Sequence, residues 1–193
     1  MDNIDVDKLR EDTAEVVGRW AKTPYYDAVE KQALAQWDNL IQPFLAGHEI
    51  NYDSVMELAV GHGRMTEILL QHAEQLTGVD VLQENIDFCS TRFGSHPKLT
   101  LLRNDGVTLT GVDSGSVNFV FCSDSMMHFD SAVVCADLRE FKRILAPGGK
   151  AILHHSNPPR NPGGNFKANP HARNVRSPAP GQQHDAERVS ARP

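Results

Sequence analysis

The apolar residues divide the chain into a helical N-terminal part and a central part in which short apolar runs alternate with amphipathic segments. Residues 4–46 carry apolar side chains at helical spacing, with a break at Thr23-Pro24. After Asp53, five short apolar runs are predicted as strands, at 54–60, 76–81, 99–102, 116–122 and 150–155. Helices are predicted between them at 64–75, 82–93 and 131–145, the last with Val134, Leu138, Phe141 and Leu145 on its buried stripe.

This alternation predicts an α/β fold. Strands separated by helices form βαβ units, which build a doubly wound, mostly parallel sheet with helices on both faces. The helical segments supply the long crossovers that parallel strands need. Ligands of such sheets bind at the carboxyl ends of the strands, so functional residues are expected directly after each predicted strand.

Length and composition favour one globular, cytoplasmic domain. The 193 residues are 40% hydrophobic and 23% charged, which is ordinary for a protein with a sizeable core. No apolar run approaches the roughly 18 residues that span a bilayer, and the acidic N-terminus has no apolar signal segment. Three cysteines are too few for a disulfide framework and fit a reducing compartment.

The charge is distributed unevenly around the net value of −6. Residues 1–155 hold 13 basic and 23 acidic side chains, which disfavours a nucleic-acid-binding surface. Residues 156–193 hold 6 basic and 2 acidic side chains, and this basic end keeps nucleic-acid binding open as an alternative. The same stretch contains seven of the eleven prolines and no Leu, Ile or Met, so 157–193 is predicted to be a loop followed by a disordered tail.

The first predicted strand ends in an acidic residue and a glycine-rich turn, Glu57-Leu58-Ala59-Val60-Gly61-His62-Gly63. Glycines allow the backbone to turn sharply and approach a ligand, and the helix that follows directs free N–H groups toward it. A dinucleotide fingerprint would place a third glycine where this chain has Thr66. A nicotinamide cofactor is therefore the less favoured interpretation.

With these residues the chain resembles the class I S-adenosylmethionine-dependent methyltransferases. The family's first motif reads acidic-x-Gly-x-Gly-x-Gly, and here Ala59 replaces the first glycine. The later family motifs are matched, in order, by Asp80 after the second strand, Asn104-Asp105-Gly106 after the third, Ser123-Asp124-Ser125-Met126-Met127-His128 after the fourth, and Ile144-Leu145-Ala146-Pro147-Gly148-Gly149-Lys150 before the fifth.

The resemblance implies a Rossmann-like cofactor domain over residues 51–156, an N-terminal helical lid over residues 1–50, and S-adenosylmethionine as cofactor. In such enzymes the acids matching Glu57, Asp80 and Asp105 hold the methionine amino group, the ribose hydroxyls and the adenine amino group. The implied reaction moves a methyl group to an oxygen, nitrogen or carbon atom of a small-molecule acceptor. The predicted cofactor-binding residues are Glu57, Ala59, Gly61, Gly63, Asp80, Asp105 and Ser123.

The histidines after the fourth and fifth strands suggest a base and no metal site. His128 is the candidate catalytic base because imidazole titrates near neutral pH, and a hydrogen-bonded loop histidine is the alternative. His154 and His155 are adjacent in a predicted strand, so their side chains point to opposite faces. No Cys-x-x-Cys or His-x-x-x-His pair is present to supply metal ligands.

The family usually has seven strands, and this sequence has no strand-like run after Asn157. The fold is therefore expected to be truncated after the fifth strand, with an exposed sheet edge that favours a homo-oligomer. Two alternatives to the enzyme stay open: a protein that binds S-adenosylmethionine without turnover and, less favoured, a nicotinamide-dependent oxidoreductase. No membrane partner is expected.

Overall fold

A computed structural model describes residues 5–20 and 25–155. These residues contain one five-stranded sheet with helices on both faces, in the order β3-β2-β1-β4-β5, and all neighbouring strands are parallel. The strands are β1 (Ser54–Leu58), β2 (Gln75–Asp80), β3 (Leu99–Arg103), β4 (Val117–Cys122) and β5 (Leu145–Leu153). The predicted Rossmann-like α/β fold is confirmed.

Helices precede the sheet and connect its strands. The N-terminal helices are α1 (Val6–Trp20), α2 (Tyr25–Glu30), α3 (Ala33–Gln36), a π-helical turn (Trp37–Ile41) and α4 (Gln42–Leu45). The connecting helices are α5 (Arg64–His72), α6 (Gln83–Phe93), a 3₁₀ turn (Met126–His128) and α7 (Ser131–Ile144). Among the helices in this part of the chain, none has the length and apolarity required to cross a membrane.

The π-helical turn has a packing reason. The side chains of Ala33, Trp37, Ile41 and Leu45 are all buried, and they follow one another at intervals of four residues. In a regular α-helix, positions four apart drift around the axis because one turn takes 3.6 residues. The wider π turn, in which the Gln42 N–H reaches the Trp37 carbonyl, offsets this drift and keeps the row on the core.

The central strands β1, β2 and β4 are largely buried on both faces, as their continuous apolar runs indicated, whereas the outer strands β3 and β5 are partly exposed. Val55, Phe119 and Phe121 pack against α5 and the N-terminal helices. Met56 and Val120 point to the opposite face and pack against α7. Alternate strand residues face opposite sides, so a strand buried on both faces has no polar alternation.

Several predicted boundaries change in the structure. The first strand stops at Leu58 because Ala59 adopts φ +62°, which takes the chain out of the sheet. The helix predicted to reach residue 75 ends at His72, since Ala73 is already extended. The fifth strand ends at Leu153, before the two histidines.

The buried stripe predicted for α7 is wrong in one position. Leu138 is 45% exposed, whereas Asp137 beside it is only 3% exposed. The predicted tail 157–193 lies outside the described residues.

The topology creates a crevice between the carboxyl ends of β1 and β4. From β1 the chain builds β2 and β3 on one side, and it then returns to place β4 on the other side. Neighbouring connections therefore leave in opposite directions at this point, which is where ligands bind in sheets of this kind.

Candidate functional site

A cleft of about 940 Å³, part of it open to solvent, lies at the carboxyl ends of β1, β2 and β4. The apolar residues Val16 and Val17 of α1 form one wall, and the first turn after β1 forms another. The polar side chains that line it are Thr13, Tyr26, Glu30, Arg64, Asp80, Asn104, Ser123, Asp124, Ser125, His128 and Asp137.

The glycine-rich turn after β1 needs its glycines for two reasons. Gly61 has φ +54° and Gly63 has φ +83°, a region that side chains with a Cβ rarely adopt. A Cβ on Gly61 would lie 2.6 Å from Cε1 of Tyr26, and one on Gly63 would lie 2.5 Å from Cε2 of Phe93. Ala59 also has a positive φ of 62°, so the residue that departs from the family motif keeps the backbone shape at some cost in strain.

Helix α2 closes over this turn through an aromatic stack. The His62 ring lies between the rings of Tyr26 and Phe88, with centroid distances of 4.0 and 3.9 Å. Asn85 donates hydrogen bonds to the Tyr26 hydroxyl (3.2 Å) and to the Asp80 carboxylate (3.1 Å). Tyr26 therefore lies beside the glycine-rich turn and near Asp80.

Asp80 ends β2 inside the cleft, as predicted. It is 4% exposed, and it accepts hydrogen bonds from the N–H groups of Gly61 (3.0 Å) and Leu82 (2.9 Å). Burial raises its pKa, while these hydrogen bonds oppose the rise. A carboxylate offers about four acceptor positions. Gly61, Leu82 and Asn85 occupy three of those on Asp80, so about one is left for a hydroxyl donor of a ligand.

Glu57 lies below the turn and is absent from the lining formed by the described residues. It is 4% exposed, and Thr66 Oγ1 donates a 2.6 Å hydrogen bond to its carboxylate. Burial raises the pKa of Glu57 to about 8, and the Thr66 hydrogen bond and the charge of Arg64 limit the rise.

Asp105, predicted to contact the cofactor, is absent from the cleft lining formed by the described residues. Its Oδ1 accepts the N–H groups of Val107 (3.0 Å) and Thr108 (2.6 Å), and its Oδ2 accepts Arg10 Nη2 (2.7 Å). Burial raises its pKa, but these hydrogen bonds outweigh burial and hold the pKa below its ordinary value. Its neighbours Asn104 and Gly106 line the cleft, whereas Asp105 fixes their loop and ties it to α1.

The loop after β4 brings charged groups from four elements together. Asp124, at φ +58°, pairs with Arg64 of α5 and accepts a hydrogen bond from Gln36 Nε2 (3.2 Å). The His154 Nδ1 lies 2.6 Å from the same carboxylate. Burial raises the pKa of Asp124, but the Arg64, Gln36 and His154 interactions keep it below its ordinary value.

His128 and Ser123, both predicted, line the same end of the cleft. Burial lowers the pKa of His128, and the nearby charge of Asp124 opposes this. The neutral imidazole can accept a proton from a bound acceptor. Across residues 5–20 and 25–155, no three His, Cys, Asp or Glu side chains are arranged to hold a metal ion.

Three residues that line the cleft were not identified from the sequence, and neither was Gln36, which contacts Arg64 and Asp124. Thr13, Arg64 and Asp137 come from helices, and each reaches the cleft only because its helix packs at the carboxyl edge. The acid at 137 interrupts an apolar helix face, and that interruption was the one available signal.

Comparison with known proteins identifies the domain. Residues 55–149 match the family model described as "Methyltransferase domain". The chain contains a class I S-adenosylmethionine-dependent methyltransferase domain. The predicted resemblance to the methyltransferases is confirmed.

Individual relatives of this methyltransferase domain are distant. YqeM of Bacillus subtilis (strain 168), whose name assigns it provisionally to the methyltransferases, is 26% identical over 96 residues, which are 49% of this chain and 39% of that protein. The match therefore spans about two fifths of the relative's length.

Solved structures support the fold. The PH0226 protein of Pyrococcus horikoshii OT3 has a TM-score of 0.60 at 22% identity, covering 72% of this chain and 65% of that chain. Phosphoethanolamine N-methyltransferase 1 of Haemonchus contortus, solved with phosphoethanolamine and S-adenosylhomocysteine, has a TM-score of 0.63 at 20% identity, covering 79% of this chain and 33% of that chain.

Proposed function

We propose that the cleft binds S-adenosylmethionine and that the domain transfers its methyl group to an oxygen, nitrogen or carbon atom of a small-molecule acceptor. One observation carries the proposal. The positive-φ turn at Gly61 and the buried carboxylate of Asp80 lie together at the switch point of a β3-β2-β1-β4-β5 sheet, joined by a 3.0 Å hydrogen bond.

The residues of the cleft fit an extended adenosyl ligand. Ala59 and Gly61 line it after β1, Asp80 after β2 and Ser123 after β4, so four of the seven predicted cofactor residues are in position to contact a ligand. In this proposal Asp80 accepts a hydrogen bond from a ribose hydroxyl. Glu57, Gly63 and Asp105 act indirectly, since they hold the turn and the loop that shape the cleft.

Bound S-adenosylmethionine would supply a methyl group activated by its positively charged sulfonium: the acceptor's lone pair would bond to the methyl carbon while the carbon–sulfur bond breaks and S-adenosylhomocysteine leaves. The protein contributes mainly by orientation, because a fixed in-line geometry lowers the barrier substantially. Tyr26 and Phe129 contribute aromatic walls to the cleft.

His128 is the proposed base for acceptors that lose a proton. It lines the cleft, and burial lowers its pKa, which favours the neutral imidazole. Next to it, Asp124 fixes the imidazole of His154 at 2.6 Å, which makes His154 the second candidate base. A His128→Asn variant with lower kcat, unchanged affinity for S-adenosylhomocysteine and a lost acidic limb in the pH–rate profile supports the first candidate.

Isothermal titration with S-adenosylmethionine, S-adenosylhomocysteine and NAD tests the cofactor. The wild-type protein is expected to bind both sulfur compounds and not NAD. Asp80→Ala and Gly61→Val are expected to abolish binding, because they remove the hydroxyl acceptor and fill the cradle. Glu74→Gln is the matched control, since Glu74 lies beside the amino end of β2, away from the cleft, with a side chain that is 72% exposed.

Methyl transfer to a panel of small amines, alcohols and acids then tests turnover. Binding without transfer to any of them favours a binding protein, and binding of NAD alone favours the oxidoreductase. A salt-sensitive interaction with tRNA would redirect the acceptor search, although the acidic excess of residues 1–155 opposes it. Cytoplasmic location and a homo-oligomer formed through the sheet edge stay predictions.

A further inference from the structure

Two buried polar side chains in the cleft have no hydrogen-bond partner. Asp137 of α7 is 3% exposed, and its carboxylate makes no hydrogen bond to any described residue. Thr13 of α1 is 2% exposed, and its Oγ1 is likewise without a partner within residues 5–20 and 25–155. An unsatisfied buried polar group costs about 1–3 kcal/mol, which applies to Thr13 Oγ1, whereas Asp137 lines the cleft; a ligand that bonds to both side chains would satisfy them.

Both side chains belong to the end of the cleft that follows β3. Thr13 Cγ2 lies 2.6 Å from the position a Cβ on Gly106 would take. On α7, Val133 and Ala136 flank Asp137 and pack with Leu9 of α1 and with Val107. Thr13 and Asp137 therefore approach the loop at residues 106–107 from two helices.

This end of the cleft is where the base of the proposed cofactor would lie. Gly61 follows β1, Asp80 ends β2 and Gly106 follows β3, and these three strands are neighbours. Adjacent strands are about 4.8 Å apart, so Gly106 is separated from the glycine-rich turn by roughly 10 Å. A ligand with its methionine part at Gly61 and its ribose at Asp80 extends its base toward Gly106.

We propose that Asp137 and Thr13 recognise the amino edge of the cofactor's adenine, an inference that rests on the proposed function. The Asp137 carboxyl group accepts a hydrogen bond from N6, and the Thr13 hydroxyl donates one to N1. A carboxyl acceptor beside a hydroxyl donor matches that edge, which presents a donor next to an acceptor.

Two observations favour this pair over Asp105. Both Asp105 oxygens already accept hydrogen bonds from Arg10, Val107 and Thr108, and Asp105 is absent from the cleft lining within the described chain. Asp137, in contrast, lines the cleft and has no partner there. Burial raises the pKa of Asp137 to about 7, and the carboxyl group retains an acceptor oxygen in either protonation state.

The test compares binding of S-adenosylhomocysteine and S-inosylhomocysteine by isothermal titration. The inosine base carries an acceptor at position 6 and a donor at position 1, which reverses the edge that Asp137 and Thr13 recognise. At about pH 9, where Asp137 with its pKa of about 7 is ionised, the wild-type protein is expected to bind the inosine compound at least about tenfold more weakly, because its carbonyl would face the Asp137 carboxylate.

Asp137→Asn is expected to bring the two affinities within about threefold, since the amide can turn its NH₂ toward the carbonyl. Thr13→Val is expected to weaken S-adenosylhomocysteine binding about fivefold while preserving side-chain shape. Asp105→Asn is the comparison variant and is expected to keep the wild-type ratio. Thermal unfolding of each unliganded variant establishes that the protein is folded.

Each outcome has one meaning. A wild-type protein that binds neither compound overturns the proposed function itself. A wild-type protein that binds both compounds equally well overturns the adenine assignment alone. The same holds if Asp137→Asn keeps the wild-type ratio, or if only Asp105→Asn narrows it.

Discussion

Replacement of Glu57 by Gln should stabilise the unliganded protein increasingly as the pH rises. Glu57 is 4% exposed, and burial raises its pKa from the ordinary 4.5 to about 8. Between these values the unfolded chain has released a proton that the folded protein still holds, so rising pH favours unfolding. Gln has the same shape, accepts the same hydrogen bond from Thr66 and releases no proton.

The size of the effect follows from the two pKa values. One pKa unit corresponds to about 1.4 kcal/mol, so the stability of the Glu57→Gln variant relative to wild type should grow by about 1.4 kcal/mol per pH unit between pH 5 and 8. The limiting gain is about 5 kcal/mol, for a pKa raised from 4.5 to about 8. Below pH 4.5 the carboxyl group is protonated in both the folded and the unfolded chain, and the difference should level off there.

Urea unfolding followed by fluorescence of the buried Trp37 measures this difference from pH 5 to 8 at constant ionic strength. The comparison between variant and wild type cancels the contributions of other titrating groups, Asp80 and Asp137 included. Glu74→Gln, which removes a carboxylate that is 72% exposed, controls for the change in net charge. A difference between the Glu57→Gln variant and wild type that stays constant within about 0.5 kcal/mol over this range would refute the reasoning.

Three further substitutions or measurements examine other contacts. Gly63→Ala should lower the free energy of unfolding in urea by roughly 2–4 kcal/mol, because a Cβ there lies 2.5 Å from the Phe93 ring. Gly115 has φ +67° but open space where a Cβ would lie, so Gly115→Ala should lower the free energy of unfolding only by the conformational cost of about 1–2 kcal/mol. Equal losses in the two variants would contradict the role of the Phe93 contact. Arg143→Ala should raise the hydrogen-exchange rate at residues 109–113 and lower the free energy of unfolding by about 1–3 kcal/mol, because Arg143 donates hydrogen bonds to the carbonyls of Val112 (2.8 Å) and Leu109 (3.0 Å). Lys142 is exposed, so Lys142→Ala should change neither the exchange rate nor the stability. A thiol reagent should label only the exposed Cys135 in the native protein and all three cysteines in denaturant. Cys89 and Cys122 are buried, and burial raises the pKa of Cys89 to about 12, so its reactive thiolate is scarce. Rapid labelling of the native Cys135→Ser variant would contradict this.

Local signals in the sequence were sufficient for the sheet and for the backbone of the turn. The β1 run, the acid Glu57 and the glycines at 61 and 63 are adjacent in sequence, so their pattern directly predicts a strand followed by a ligand-binding turn. Asp80 was predictable for the same reason, because it ends an apolar run.

The remainder of the site depends on contacts between distant residues. Arg64 and Asp124 are 60 positions apart, and Arg10 and Asp105 are 95 apart, so no local pattern connects them. Asp137 was missed because the sequence predicted that Leu138 faces the core from α7. In the structure Leu138 is exposed, and the neighbouring Asp137 is buried instead. Asp105 follows β3, as the sequence predicted, but its carboxylate accepts hydrogen bonds from α1 and from its own loop. No pattern in the sequence indicated these donors.

The contacts of the N-terminal helices imply that cofactor binding and helix docking are coupled. Arg10 of α1 holds Asp105, Tyr26 of α2 covers Gly61, and Gln36 of α3 bonds to Arg64 and Asp124. Every one of these contacts is made to a loop or helix end at the carboxyl edge of the sheet, where the cleft lies. A ligand that orders this edge therefore favours the docked helices, and the docked helices favour the ligand by the same free energy.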